Sequence, residues 1–196
     1  DRLGGVINNE TKRLRLQVEK VLQMSMYDNK TAVLKKKYTD LNEMVENIAA
    51  SFTLRVEHTG GKVYTGIEAV DSAMYVDEMH FQNVIFNLLD NAVKYAAAGS
   101  DITFSLVKNK KHILLKTSNA CQDLDEDALR HLFDRFYRPD QSRNHETGGF
   151  GIGLSIARSI VEEHGGTLSA QSSAERGTIY DCNMNILAMS ANVDNV

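Results

Sequence analysis

The sequence predicts a two-layer α/β (α+β) sandwich, a mixed sheet with helices on one face, preceded by one long helix. Three observations carry this. Segments with apolar residues at three- and four-residue steps alternate with short runs of strand-like residues. Gly60-Gly61, Gly99-Ser100 and Gly165-Gly166 punctuate that alternation. The first apolar stripe precedes the alternation and has its own polar faces, so it stands apart from the sandwich.

Composition bounds the rest. The chain has 196 residues, 42% hydrophobic and 24% charged, enough for one good core and an appendage. A net charge of −4 offers no basic surface for nucleic acid, and Lys35-Lys36-Lys37 reads as a solvated face. No apolar run approaches the ~18 residues of a membrane span, and no secretory signal opens the chain. It starts at Asp1 and reads as a segment of a longer protein. Cys121 and Cys182 supply neither a disulfide framework nor a metal spacing, which fits a reducing cytoplasm. The six histidines are scattered and form no metal motif.

Leu3, Ile7, Leu14, Val18, Val21, Leu22 and Ser25 lie on one stripe of a helix from Leu3 to Tyr27, stopped by Asp28-Asn29-Lys30. A strand over Val33–Tyr38 follows, and then a helix from Leu41 to Arg55 capped by Asp40. Lys62–Ala69 and Ala73–Val76 read as a strand pair. Asp77 caps a long helix ending at Tyr95, with Phe81, Val84, Ile85, Leu88, Leu89 and Ala92 apolar. Strands Ile102–Val107 and His112–Thr117 form a hairpin about Asn109-Lys110. Asp125–Phe133 is a short helix, and Tyr137–Gly148, with the only proline, is a mobile loop. Helix Ile152–His164 and strands Thr167–Gln171 and Thr178–Ile186 close the domain, leaving Leu187–Val196 as a frayed tail.

Four glycines fall within the six positions 148–153, immediately before that last long helix. Glycine costs about 1 kcal/mol relative to alanine inside a helix, so such a run needs a reason other than packing. A helix N-terminus has unpaired N–H groups and partial positive charge, and glycines let a phosphate approach them. On the long helix, Asn87 and Asn91 are four residues apart and share a face, while Leu88, Leu89 and Val93 face the core. Amide oxygens suit Mg²⁺, and Lys94, one turn on beside Tyr95, can meet a phosphate as a point charge.

Together these segments resemble the ATP-binding catalytic domain of bacterial sensor histidine kinases, over roughly Thr39 to Ile186. Asn87–Tyr95 resembles the N box. Phe133-Asp134-Arg135-Phe136-Tyr137-Arg138 resembles the F box. Gly149-Phe150-Gly151-Ile152-Gly153-Leu154 resembles the second glycine box, and Gly177-Thr178 the final Gly-Thr. Residues 1–30 further resemble the second helix of the dimerisation and phosphotransfer hairpin, with the first helix absent; residues 31–186 would be the catalytic domain and 187–196 a disordered tail.

The resemblance implies a Bergerat-type fold binding ATP and Mg²⁺. Asn91 would coordinate the metal with Asn87 assisting, Lys94 and Arg138 would meet phosphates, and Tyr95 would lie against the adenine or the lid. Tyr137–Gly148 would be the lid, anchored by Phe133 and Phe136, and Arg143 within it reads equally as a phosphate contact or as a solvated arginine. Gly149, Phe150, Gly151, Ile152, Gly153 and Leu154 would form hinge and cradle, with Leu124 and Thr178 also lining the nucleotide. The implied activity is transfer of the γ-phosphoryl group to a hairpin histidine, then relay to an aspartate of a response-regulator receiver domain. The implied parent is a homodimer anchored in the inner membrane only through upstream segments, with this part cytoplasmic.

Two departures stand out. Asn119-Ala120-Cys121-Gln122-Asp123-Leu124 occupies the slot of the family's first glycine box, with Asn119 in place of the aspartate that accepts the adenine amino group and both glycines gone. An amide oxygen still accepts, without charge assistance. No histidine here has the phosphoacceptor setting. These departures support the alternative reading, a nucleotide-binding regulatory module or a pseudokinase or phosphatase with weakened adenine recognition. A gyrase-like ATPase is disfavoured, because those enzymes use a glutamate base where Asn87 stands.

Overall fold

Two aspartates start two of the helices of the core. The Asp40 carboxylate accepts from the Asn42 N–H at 2.9 Å, and that of Asp77 accepts from the His80 N–H at 3.1 Å. Each satisfies a backbone donor that the first helical turn leaves unpaired. The structure is a computed structural model that describes residues 33–68, 72–108, 113–121, 126–138, 151–174 and 182–188, together with positions 11, 14, 15, 18, 19, 21, 22 and 25. Those eight early positions are all helical and are called α1 below. The remaining elements are β1 (Lys37–Asp40), α2 (Leu41–Glu57), β2 (Val63–Ile67), β3 (Ala73–Val76), α3 (Glu78–Tyr95), β4 (Ile102–Lys108), β5 (Ile113–Cys121), α4 (Glu126–His131), α5 (Gly153–Glu163), β6 (Leu168–Ala174) and β7 (Cys182–Ala188).

The main sheet has the order β2-β4-β5-β7-β6. β2 runs parallel to β4, and the other three pairings are antiparallel. The sheet is therefore mixed, as expected. Strand alternation gives β4 and β5 one buried face: Ile102, Phe104 and Leu106 beside Ile113, Leu115, Thr117 and Asn119. α2, α3 and α5 cover that face, and their buried residues join it in one core. Phe52, Phe81 and Phe104 are its largest fully buried side chains, each worth about 1.5–3 kcal/mol of burial.

Five expectations need correction. β2 and β3 do not pair with each other: β3 pairs antiparallel with β1 in a separate two-stranded sheet, and β2 joins β4. Parallel pairing requires a crossover, and α3 supplies it between β2 and β4. The strand expected at Val33–Tyr38 lies at Lys37–Asp40, in register with Ala73–Val76. β5 continues to Cys121 instead of stopping at Thr117, because β7 pairs along it as far as Cys121 opposite Cys182. α2 also runs two residues past the expected Arg55, and β7 two past the expected Ile186.

The apolar stripe of α1 is exposed: Leu14, Val18 and Leu22 are each more than half accessible. Arg15 pairs with Glu19 one turn on at 3.0 Å. No described helix is long and apolar enough to cross a membrane.

Candidate functional site

α3 presents a column of three asparagines at four-residue spacing, Asn83, Asn87 and Asn91. The Asn87 Nδ2 donates to Asn83 Oδ1 at 2.8 Å, which orients its own Oδ1 away. That oxygen faces the start of α5: a Cβ added to Gly153 would lie 2.9 Å from it. Only a glycine lets the helix terminus come this close. Asn91, one turn on, has a buried Nδ2 with no hydrogen-bond partner. An amide left unpaired at such a place has no structural use and costs about 1–3 kcal/mol.

The glycine box and the F box are joined by their backbones. The Phe136 N–H donates to the Gly151 carbonyl at 2.9 Å. Gly151 has φ +67°, and a Cβ there would lie 2.6 Å from the Tyr137 carbonyl oxygen and 2.7 Å from the Phe136 carbonyl carbon. Phe136 itself has φ 62°, a left-handed conformation uncommon for an aromatic residue and held here by its bond to Gly151. Its ring is exposed, whereas Phe133 packs against the core. Of the two expected anchors, only Phe133 is one by burial; the Arg158 guanidinium lies 5.9 Å from its ring centroid. Arg138 follows Tyr137 and is half-buried.

α5 begins without a side-chain cap: Ile152 stands at its N-cap position and makes no side-chain bond. The first-turn N–H groups, with the positive end of the helix dipole, are thus left for an anion. Ile152 and Leu154 are buried below this turn.

Lys94 stands on the asparagine face, but its ammonium is paired with Asp90 at 2.5 Å. Asp90 also takes Arg55 of α2 at 3.2 Å. The sequence reading passed over Asp90, which lies inside the N box; its four-residue step to Lys94 was the available signal. Asn119 is buried on the helix-facing side of β5 and its Nδ2 donates to the Ala120 carbonyl at 3.3 Å, so its Oδ1 remains the acceptor. The same carbonyl takes the Ala97 N–H at 2.8 Å, tying the loop after α3 to this strand. Thr117, two residues earlier, has a buried hydroxyl without a partner.

Tyr95 ends α3. Leu124, Arg143, Gly149, Phe150, Gly177 and Thr178 lie outside the described residues, as does the loop after Arg138 up to Gly151. Among the described residues no group of three His, Cys, Asp or Glu side chains is placed to hold a metal ion.

An uncapped helix start, a glycine at its first turn and an asparagine column thus lie together where α3 meets α5. Residues 76–186 match the family described as histidine kinase-, DNA gyrase B- and HSP90-like ATPase. The chain belongs to that family. It is similar to the sensor protein RprX of Bacteroides fragilis, 41% identical over 180 residues that span 91% of this chain and 35% of that protein. Among solved structures it resembles the histidine kinase AdeS of Acinetobacter baumannii, with a TM-score of 0.73 at 21% identity over 96% of this chain and 84% of that one. The histidine kinase ThkA, solved in complex with the response regulator protein TrrA, superposes with a TM-score of 0.70 at 20% identity over 94% of this chain and 49% of that one. The chain thus spans about a third of the length of its curated relative RprX.

Proposed function

We propose that this chain binds ATP with Mg²⁺ between α3 and α5 and passes the γ-phosphoryl group to a histidine on a dimerisation hairpin, for relay to a response-regulator aspartate. The observation that carries the reading is the approach of Gly153 to Asn87, 2.9 Å from an added Cβ to Oδ1. It joins the two motifs across 66 residues at an approach that only a glycine permits.

Each residue then has a task. Asn91 holds the metal with its Oδ1, and Asn87 assists; hard amide oxygens suit Mg²⁺, which keeps several waters. When bound, the metal supplies neutralisation of the triphosphate charge. The uncapped N–H groups of α5 and the backbone of Gly151 and Gly153 cradle phosphate oxygens. Arg138 adds positive charge at the start of the lid, and Lys94 does so to the extent that Asp90 releases it. Asn119 accepts the adenine amino group with its Oδ1. Phosphoryl transfer needs position and charge complementarity more than covalent participation by the protein.

Residues 1–30, in this reading, form the second hairpin helix, whose exposed Leu14, Val18 and Leu22 await a partner helix in a homodimer. Residues 31–186 are the catalytic domain, on the cytoplasmic side of a parent anchored in the inner membrane through other segments. The test mixes this chain with an intact hairpin domain and γ-labelled ATP. Label on the hairpin histidine supports the reading; ATP binding with no label on the hairpin overturns it in favour of a nucleotide-gated binding module.

A further inference from the structure

At the opposite end of α3 and α5 from the nucleotide site, the two helices are joined by one imidazole. The Asp77 N–H, at the N-cap of α3, donates to Nε2 of His164 at 3.0 Å. His164 caps the C-terminus of α5, and its Nδ1 lies 2.7 Å from the Ile160 carbonyl. A carbonyl only accepts, so Nδ1 carries the proton; Nε2 accepts, so it carries none. The ring is therefore neutral, in a single tautomer. It is buried, with the Phe81 ring edge-on at 6.3 Å.

The residues just before β1 are fastened to the same place. The Lys35 N–H donates to Asp77 Oδ2 at 2.7 Å. The Lys36 ammonium donates to the Glu163 carbonyl, the last residue of α5, at 3.3 Å. Asp77 Oδ1 meanwhile takes the His80 ring at 2.7 Å. The charged and titratable groups facing His164 are thus Lys36 from just before β1 and Asp77 and His80 from the start of α3, with Glu163 beside it on its own helix.

We propose that His164 is a positioning residue: its neutral ring clamps the start of α3 to the end of α5, and so sets the approach of Gly153 to Asn87, beside which the nucleotide phosphates lie. The inference rests on the nucleotide-binding reading above. From the clamp, Asn87 is ten residues along α3 and Gly153 eleven back along α5, roughly 15 Å in each case. Two helices fixed at one end by a hydrogen bond, and touching at the other through a glycine, form a frame whose opening depends on both contacts.

Protonation of His164 places a hydrogen on Nε2 facing the Asp77 N–H, donor against donor, beside the Lys36 ammonium. The bond is lost, and the anchors at Lys35 and Lys36 are disturbed with it. Burial pushes the imidazole below its ordinary range, the bond to Ile160 opposes that, and Lys36 adds to it. The clamp is closed at neutral pH and opens as pH falls below the usual histidine range.

The test measures binding of a fluorescent ATP analogue with Mg²⁺ to the whole chain at about pH 7.5 and about pH 5.5, for wild type, His164→Gln and His164→Leu. The glutamine oxygen can accept the Asp77 N–H and does not titrate. Wild type should lose about tenfold more affinity on acidification than His164→Gln, and His164→Leu should be about tenfold weaker than wild type at the higher pH. The nucleotide's own protonation is common to every arm. Equal pH dependence in wild type and His164→Gln overturns the proposal, as does a folded His164→Leu that binds like wild type; if that variant does not fold, the glutamine comparison decides. Absence of binding by wild type at either pH would instead overturn the nucleotide-binding reading itself.

Discussion

Gly153 and Asn87 are in contact across the α3–α5 interface, and no side chain larger than a hydrogen fits between them: an added Cβ would lie 2.9 Å from Asn87 Oδ1. That oxygen cannot swing away freely, because Asn87 is buried and its amide nitrogen is bound to Asn83.

Gly153→Ala is therefore expected to cut nucleotide affinity by about tenfold with little loss of stability. Alanine improves helix propensity by about 1 kcal/mol at this first position of α5, which offsets the crowding. Calorimetric titration with ATP and Mg²⁺ beside a thermal melt checks it. Unchanged affinity in a folded variant would remove Gly153 from the cradle.

Gly151→Ala should behave differently. Its neighbours at 2.6 and 2.7 Å are backbone atoms of Tyr137 and Phe136, and its φ is +67°. The strained conformation and the clash together cost about 1–3 kcal/mol, lowering Tm by about 2–4 °C for each kcal/mol in a chain of this size. A melt identical to wild type contradicts the staple between the two boxes.

Asn91→Ala separates chemistry from folding. The Asn91 Nδ2 is buried without a partner, so its removal should leave Tm within about 2 °C or raise it. Phosphotransfer to an added hairpin domain should fall by about a hundredfold or more, as expected when a metal ligand is lost. If ATP affinity alone falls while transfer at saturating ATP persists, Asn91 binds without taking part in transfer.

Asp77 ties the α3 N-cap, Lys35 and His80 together. Burial pulls its carboxyl upward, but bonds from the His80 side chain and backbone and from the Lys35 backbone outweigh this and hold it at about 2, against 3.8 ordinarily. A depressed carboxylate contributes stability in full above its unfolded value and loses it as pH falls toward 2. Asp77→Ala should cost about 1–2 kcal/mol at pH 7, with the difference from wild type shrinking below about pH 4. His164 acts in a separate window: a base pushed down on folding keeps its stabilisation above about 6.5 and loses it below. Urea melts of both proteins across this range check the two windows, and a wild-type to Asp77→Ala gap that stays constant down to pH 2 rejects the assignment.

His131 has the opposite sign. Its hydrogen bond with Asp134 raises the imidazole above its ordinary range, aided by Asp127, and the ring lies 5.6 Å from that of Tyr137 at the start of the lid. Whatever it contributes is present below the unfolded histidine value and is lost as pH rises through the folded one. His131→Gln should abolish that component; NMR titration of the ring checks the direction.

Much of the fold was legible because it is local. Asp40 and Asp77 announce their helices by capping chemistry, and α3 and α5 lie within a residue of where periodicity puts them. The asparagine pair and the glycine run were readable for the same reason, since each lies within one element. Strand partners were not: β2 and β3 are neighbours along the chain, yet they belong to different sheets. Alternation states which face of a strand is buried and not which strand lies beside it.

The sequence by itself determined the element types, their buried faces and the spacing of the N, F and glycine boxes, because caps, periods and turns act over a few residues. Only the tertiary structure decided that Gly153 abuts Asn87, that Asp90 also engages Arg55 of α2, and that His164 receives the Asp77 N–H from 87 positions away. A lone histidine or a lone aspartate carries no mark of its partner. Such contacts come from packing two helices on one sheet, which sets distances that no local pattern encodes.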